Sequence, residues 1–151
     1  MSEQGTIAGA GRAPLHLWIV GVLSLLWNAM GAFDYLMTQS RSEWYMSQFS
    51  PEQLDYFYSF PLWADAAWAL GVWGAFFGSL ALLLRRSWAV WLFGVSIAGL
   101  VLTSIYNFVL TNGAELMGEG AEVWVLTLLI WGITLALFFY ARWLTAQGVL
   151  R

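Results

Sequence analysis

Two aspartates and one asparagine are the polar residues whose types and positions suggest chemistry beside long apolar segments. Asn28 lies in the run LWNAMGAF, Asp34 follows that run, and Asp65 lies in WADA at the start of a second run. Two carboxylates that share a proton can act as acid and base. A membrane aspartyl protease would need such a pair, but the Gly-x-Gly-Asp context of that class is absent around both aspartates. We therefore expect no catalytic residues, and we interpret Asp34 and Asp65 as solvated helix ends.

Other common chemistries lack their residues. The chain has no cysteine, which excludes disulfides, thiolate metal sites and cysteine nucleophiles. A single histidine, His16, is too few for a zinc site built from histidines or for a bis-histidine haem. The net charge of −3 argues against nucleic acid, which requires a basic surface. No phosphate-binding glycine loop or serine elbow is present. We expect no metal, no cofactor and no enzymatic activity.

The elements that carry these residues are membrane-spanning helices. Of the 151 residues, 60% are hydrophobic and only 10% are charged, whereas soluble domains carry about 25% charged residues. A bilayer core of about 30 Å requires about 20 apolar helical residues. Four runs meet this length, and they predict helices near 15–36, 62–84, 88–110 and 122–142. The prediction is an all-α integral membrane protein, a four-helix antiparallel bundle that forms one transmembrane domain over residues 1–151.

The arginines predict the orientation of this bundle. With four spans, the two termini and the middle loop share one side, and that side carries five of the six basic residues: Arg12, Arg85, Arg86, Arg142 and Arg151. The other side carries only Arg41, and the chain has no lysine. Because basic residues accumulate in cytoplasmic loops, we expect both termini in the cytoplasm. The acidic residues other than Glu3, including Glu119, lie on or at the edge of the outer side.

The first outer loop contains a predicted helix of its own. In SPEQLDYFYSF, Ser50 suits the N-cap, Pro51 the first helical position, and Gln53 completes a capping box. Leu54, Phe57, Tyr58 and Pro61 form an apolar stripe at helical spacing, which is typical of a short helix on the membrane surface. Two roles remain open for it: an interfacial anchor, or a lid over the outer mouth of the bundle.

Small residues recur at alternating steps of three and four, which is the pattern of packed membrane helices. We expect these stripes to face one another; their members in the first three spans include Gly21, Ser24, Gly31, Gly71, Gly74, Gly78 and Gly99.

Asn28 lies on the first of these stripes, about 20 Å into the core at a rise of 1.5 Å per residue. Its amide requires a protein partner, because hydrocarbon offers none. Thr103, Ser104 and Asn107 of the third span are the expected partners. Two hypotheses follow. Asn28 is either interhelical glue, worth about 0.6 to 2 kcal/mol, or part of a polar pocket for a small neutral or cationic solute. The pocket would comprise Asn28, Thr103, Ser104 and Asn107 under a rim of Asp34, Tyr35 and Asp65.

Three stretches carry a family resemblance: LHLWIVGVLSLLWNAMGAFDYLMTQ, FSPEQLDYFYSFPLW and ALGVWGAFFGSLALLLRR. They resemble a family of small, uncharacterised four-span bacterial membrane proteins, some of which carry the label sugar transporter. The resemblance implies a bacterial inner membrane and supplies no catalytic or binding residues. Two functional classes remain: a protein that handles a small solute at an outward polar pocket as an oligomer, and an accessory or packing subunit whose small-residue and tryptophan faces dock other membrane proteins. The expected partners are the lipid bilayer and either further copies of the chain or other membrane proteins.

Overall fold

A computed structural model describes residues 12–118 and 120–151 of the chain. Four of its helices are long and apolar enough to cross a membrane: α1 (Leu15–Gln39), α4 (Leu62–Leu83), α5 (Ala89–Ile105, continued by a π-helix over Tyr106–Leu110) and α7 (Ala121–Ala146). Three short helices lie in the loops: α2 (Glu43–Met46), α3 (Pro51–Tyr58) and α6 (Gly113–Met117). The prediction of four helices long and apolar enough to cross a membrane is confirmed.

Helix α1 extends beyond the predicted end at residue 36. The Thr38 hydroxyl donates to the carbonyl oxygen of Asp34 at 2.8 Å, and the backbone N–H of Ser40 donates to Leu36 O at 2.9 Å. Polar residues past the apolar run thus continue the helix, because backbone bonding does not stop where hydrocarbon burial stops.

One end of the bundle carries the start of α1, the turn between α4 and α5, and the end of α7. Leu17, Leu82 and Leu144 are fully buried in one apolar cluster there. The backbone N–H of Arg151 donates to Arg85 O at 2.9 Å, and that of Ser87 donates to Arg151 O at 3.0 Å. We call this the termini end and the opposite one the loop end. The start of α1, the turn between α4 and α5 and the end of α7 therefore share one side, as the four-span topology requires.

The closest helix pair is α4 with α5. A Cβ atom added at Gly74 would lie 2.9 Å from both Leu92 O and Ser96 N, which are backbone atoms. The Ser96 hydroxyl donates to Gly71 O at 2.6 Å. Gly99 of α5 faces Gly71 in turn, and Gly78 faces the ring of Phe93. The glycine stripe of α4 therefore turns toward α5 and allows the two backbones to touch.

Helices α1 and α7 flank this pair. Gly21 of α1 packs on Leu83 of α4. Ser24 is buried, but its hydroxyl donates to Gly21 O at 3.0 Å within its own helix. The prediction that Gly31 is a packing position is wrong, because among the described residues no atom of another helix lies within 4 Å of where its Cβ would be. The reason is that α1 leans on α4 along one face only, and Gly31 lies off that face.

Candidate functional site

Asn28 joins α1 to α4. Its Nδ2 donates to Ser79 Oγ at 2.9 Å and to Ala75 O at 3.3 Å, and the Ser79 side chain is fully buried. The predicted partners in the third span are therefore wrong for Asn28. Since the glycine stripe of α4 is turned toward α5, the adjacent Ala75 and Ser79 face α1, so α4 supplies the acceptors.

The predicted rim residues each have a local partner. The Tyr45 hydroxyl of α2 donates to Asp34 Oδ1 at 2.5 Å, and the side-chain amide of Gln39 donates to Asp65 Oδ1 at 2.5 Å. Tyr35 packs edge-to-face against Trp68, with ring centroids 5.0 Å apart. The two carboxylates thus accept hydrogen bonds from two different side chains, Asp34 from Tyr45 and Asp65 from Gln39.

The Tyr45 phenol has a strongly perturbed acidity. Burial, followed by the hydrogen bond to Asp34 and the charge of that carboxylate, raises the pKa of Tyr45 to about 12. The neutral phenol therefore donates to Asp34 throughout the physiological range, and it fixes α2, the short helix that follows α1, to the last turns of α1.

The three polar residues predicted in the third span do not bond to Asn28: Ser104 and Asn107 have other partners, and the buried Thr103 hydroxyl has none among the described residues. Ser104 Oγ accepts from Trp131 Nε1 of α7 at 3.3 Å, and Asn107 Oδ1 accepts from the Tyr56 hydroxyl at 2.6 Å. The Thr103 hydroxyl is buried without a hydrogen-bond partner in the part of the chain that the structure describes. The predicted convergence of these groups with Asn28 is wrong, because α4 separates α1 from α5.

The helix predicted in the first loop forms as α3. Gln53 N donates to Ser50 Oγ at 3.3 Å and Ser50 N donates to Gln53 Oε1 at 3.0 Å, which is the predicted capping box. Gln53 Nε2 also donates to Leu116 O of α6 at 3.0 Å. Helix α3 therefore packs on the other loop-end segment. Its position relative to a membrane surface stays a prediction.

Tyr56 is the residue of α3 that sequence reasoning missed. It is buried, its hydroxyl bonds Asn107 and lies 3.0 Å from Thr111 Oγ1, and its ring stacks on that of Tyr106. Burial raises the pKa of its phenol. Tyr56 lies off the predicted apolar stripe, and the π-helix that carries Asn107 has no sequence signal, so only a buried tyrosine's need for a polar partner could have indicated it.

A cavity of about 140 Å³ lies at the loop end. Its lining comes from the end of α1, from α3 and from the start of α4: Thr38, Gln39, Arg41, Phe57, Tyr58, Phe60 and Asp65. The Arg41 guanidinium carbon lies 4.2 Å from the centre of the Tyr58 ring. Asp65 is the only member of the predicted pocket in this lining. Asn28 is ten residues, or about 15 Å of helix, from the nearest lining residue, Thr38.

A second cavity, of about 210 Å³, lies at the termini end. It is lined by Leu84, Arg85, Arg86, Val149 and Arg151. None of the predicted ligand-binding residues lies there. Among the described residues, no three His, Asp or Glu side chains are grouped closely enough to hold a metal ion.

Comparison with known proteins leaves this arrangement to be interpreted on its own geometry. No protein-family model matches the chain, and neither the curated proteins nor the solved structures include a match to it.

Proposed function

We propose that the chain is a non-catalytic packing subunit of the membrane that assembles with a second copy of itself through α7. The observation that carries the proposal is the exposed face of α7, which includes the small residues Gly132 and Ala136, because small residues allow membrane helices to approach closely. In its most apolar 18-residue window, helix α7 has a mean hydropathy of 2.2, the highest of the four long helices, and only 11% of that window is buried, against 28 to 39% in the other three.

The hydrogen bonds of Asn28 favour a structural role for this residue over a role in a path for a solute. A solute site at this depth would need amide N–H groups free to bind the solute, but the Asn28 Nδ2 donates both of its hydrogen bonds to α4. Interhelical hydrogen bonds of this kind are worth about 0.6 to 2 kcal/mol. Asn28 is thus well explained as the donor of interhelical hydrogen bonds that hold α1 against α4.

The exposed face of α7 is suited to a copy of itself. Gly132 and Ala136 are both exposed at a four-residue spacing, and in the part of the chain that the structure describes no atom of another helix lies within 4 Å of where a Gly132 Cβ would be. Leu128, Leu135 and Phe139 are exposed on the same face. A two-fold interface requires a surface that complements itself, and this face offers both a small-residue groove and large side chains to fill it.

The proposed location is a bacterial inner membrane, with the termini end in the cytoplasm. The arginine distribution supports this orientation: Arg85, Arg86, Arg142 and Arg151 lie at the termini end and Arg41 at the loop end. Glu3 and Glu119, which the sequence assigns to opposite sides, lie outside the described residues. The family resemblance supports a bacterial source.

A matched pair of substitutions tests the assembly. Ala136→Leu adds bulk to the proposed interface, whereas Ala98→Leu adds the same bulk to an exposed position of α5. Overpacking costs about 1 to 3 kcal/mol, so the dimer association constant should fall roughly 5- to 150-fold for Ala136→Leu and stay unchanged for Ala98→Leu. Sedimentation equilibrium in matched-density detergent measures it. A wild-type monomer at every concentration, or equal association of both variants, contradicts the proposal.

A second function, binding of a small cation, is favoured by the loop-end cavity. The Asp65 carboxylate and the rings of Tyr58 and Phe60 meet there, and carboxylate with aromatic faces is the usual surrounding of an ammonium group. The Arg41 guanidinium already lies over the face of the Tyr58 ring, so a cationic solute would compete with Arg41 for this ring. Titration calorimetry with choline as the probe should show binding that Asp65→Asn abolishes and Asp55→Asn retains. No heat of binding would exclude this second function.

A further inference from the structure

The cavity at the termini end is built by the last residues of the described chain. Helix α7 ends at Ala146, two residues before Gly148, whose φ of 71° lies in the left-handed region, and Val149 N donates back to Leu144 O at 3.0 Å. The chain then crosses the α4–α5 turn, where Arg151 forms its two backbone bonds, and Leu150 is buried. The walls of the cavity are therefore held by backbone hydrogen bonds rather than by free side chains.

The turn on the other side of the cavity carries a residue that its backbone does not favour. Arg85 has φ 57°, a left-handed position that helix ends usually fill with glycine. Arg86 N donates to Ala81 O at 2.8 Å to close this turn. Arg85 Nε donates to Val149 O at 3.2 Å, so its side chain is engaged with the tail. Arg86 and Arg151 remain as the exposed guanidinium groups of the cavity.

These guanidinium groups have no acidic side chains around them. Within residues 12–118 and 120–151, every aspartate and glutamate lies in a loop-end element or at the loop end of a long helix: Asp34, Glu43, Glu52, Asp55, Asp65, Glu115 and Glu122. The described side chains at the termini end therefore carry positive charge without a carboxylate side chain to offset it, which favours an anionic ligand. The main-chain carboxyl oxygen of Arg151 in the lining is already engaged, because it accepts from Ser87 N at 3.0 Å.

The cavity also lies at the level where a membrane surface would be. It opens beside the last residues of α4 and the start of α5, two helices long enough to span a bilayer. Leu84 in its lining is 58% exposed. Trp88, four residues further along the chain, and Trp143, near the end of α7, are each 50% exposed. Exposed tryptophans at helix ends are typical of the boundary between hydrocarbon and headgroups.

We propose that this cavity binds the phosphate of an anionic phospholipid, with Arg86 and Arg151 as the ligands and Leu84 against the acyl chain. Guanidinium groups bind phosphate through two parallel hydrogen bonds, and basic pockets beside membrane helices suit lipid headgroups. If Arg86 and Arg151 served only to orient the chain in the membrane, they would not need to line the same cavity.

Native mass spectrometry of the detergent-solubilised protein tests the site. Phosphatidylglycerol and phosphatidylcholine are titrated separately, and the bound lipids per chain are counted. We expect a bound phosphatidylglycerol and no matching phosphatidylcholine. Each basic residue near a membrane surface contributes about 1 kcal/mol, so Arg86→Gln and Arg151→Gln should each weaken binding about fivefold. Arg142→Gln is the matched control, because Arg142 lies at the same end of the bundle outside the cavity lining.

The control separates a site from general attraction. Loss of binding in Arg142→Gln equal to that in Arg86→Gln would show a diffuse field and overturn the proposal, as would unchanged binding in Arg86→Gln and Arg151→Gln. A third arm adds inorganic phosphate to the protein in phosphatidylcholine alone. Phosphate that binds as tightly as phosphatidylglycerol would assign the site to a free anion and contradict the lipid. Unaltered circular dichroism of all variants verifies folding.

Discussion

The contact between α4 and α5 predicts that a single methyl group at Gly74 destabilises the protein. The Cβ of an alanine there would lie 2.9 Å from Leu92 O and Ser96 N and 3.1 Å from Ser96 Cα. All three are backbone atoms of a helix, so no side-chain rotation relieves the contact. The two helices must separate, and the Ser96 hydroxyl bond to Gly71 O at 2.6 Å is then stretched.

The magnitude follows from a comparison with Gly31. Glycine to alanine within a helix gains roughly 0.5 to 1 kcal/mol through the backbone, and this gain applies to both positions. At Gly31 no atom of another helix within the described ranges lies within 4 Å of the new Cβ, so only the gain remains. Overpacking costs about 1 to 3 kcal/mol. The difference in unfolding free energy between Gly74→Ala and Gly31→Ala should therefore be about 1 to 3 kcal/mol, because the backbone gain cancels.

Reversible unfolding in mixed micelles of increasing SDS fraction measures both variants against wild type, followed by far-UV circular dichroism. Gly31→Ala should unfold at or above the wild-type midpoint, and Gly74→Ala below it. Equal midpoints for the two variants would refute the close approach of α4 and α5, and with it the assignment of the glycine stripe to that interface.

Three further predictions concern the hydrogen bonds and the orientation. In a double-mutant cycle, Asn28→Leu and Ser79→Ala should couple by about 0.6 to 2 kcal/mol; additive losses would mean that the 2.9 Å bond contributes nothing. The Tyr45 pKa of about 12 lies above its ordinary value of 10.0, so the neutral phenol stabilises the fold fully below pH 10, and this contribution is lost between pH 10 and 12. The tyrosinate absorbance of wild type minus Tyr45→Phe should titrate near 12, whereas a midpoint near 10 would show a free phenol. Because the chain has no cysteine, a membrane-impermeant maleimide added outside cells should label Asp55→Cys and spare Ser87→Cys; the reverse pattern would invert the proposed orientation.

The sequence predicts the long helices well because hydrophobic length is a property of each segment alone. The termini end was also predictable, since four spans place both termini and the 85–87 turn on one side. The capping box at Ser50 and Gln53 is likewise local, and α3 begins where this pattern places it.

The partner of Asn28 could not be predicted in the same way. The depth of Asn28 in the membrane selects possible hydrogen-bond partners at the same level on each of the other three spans. The sequence does not show which of these spans lies next to α1. The choice depends on how α4 is rotated: with Gly74 against α5, Ser79 faces α1. Tyr56 and the π-helix under it depend on contacts between segments about fifty residues apart, which periodicity within a segment does not encode.

Disulfide cross-linking in native membranes tests the proposed assembly through α7 most directly. The chain lacks cysteine, so Gly132→Cys and Ala98→Cys each supply the only thiol, on the exposed faces of α7 and α5 respectively. Upon oxidation with copper phenanthroline, Gly132→Cys should give a dimer of twice the 16.9 kDa chain mass, and Ala98→Cys should remain a monomer. A monomer at Gly132→Cys together with a dimer at Ala98→Cys would contradict the account.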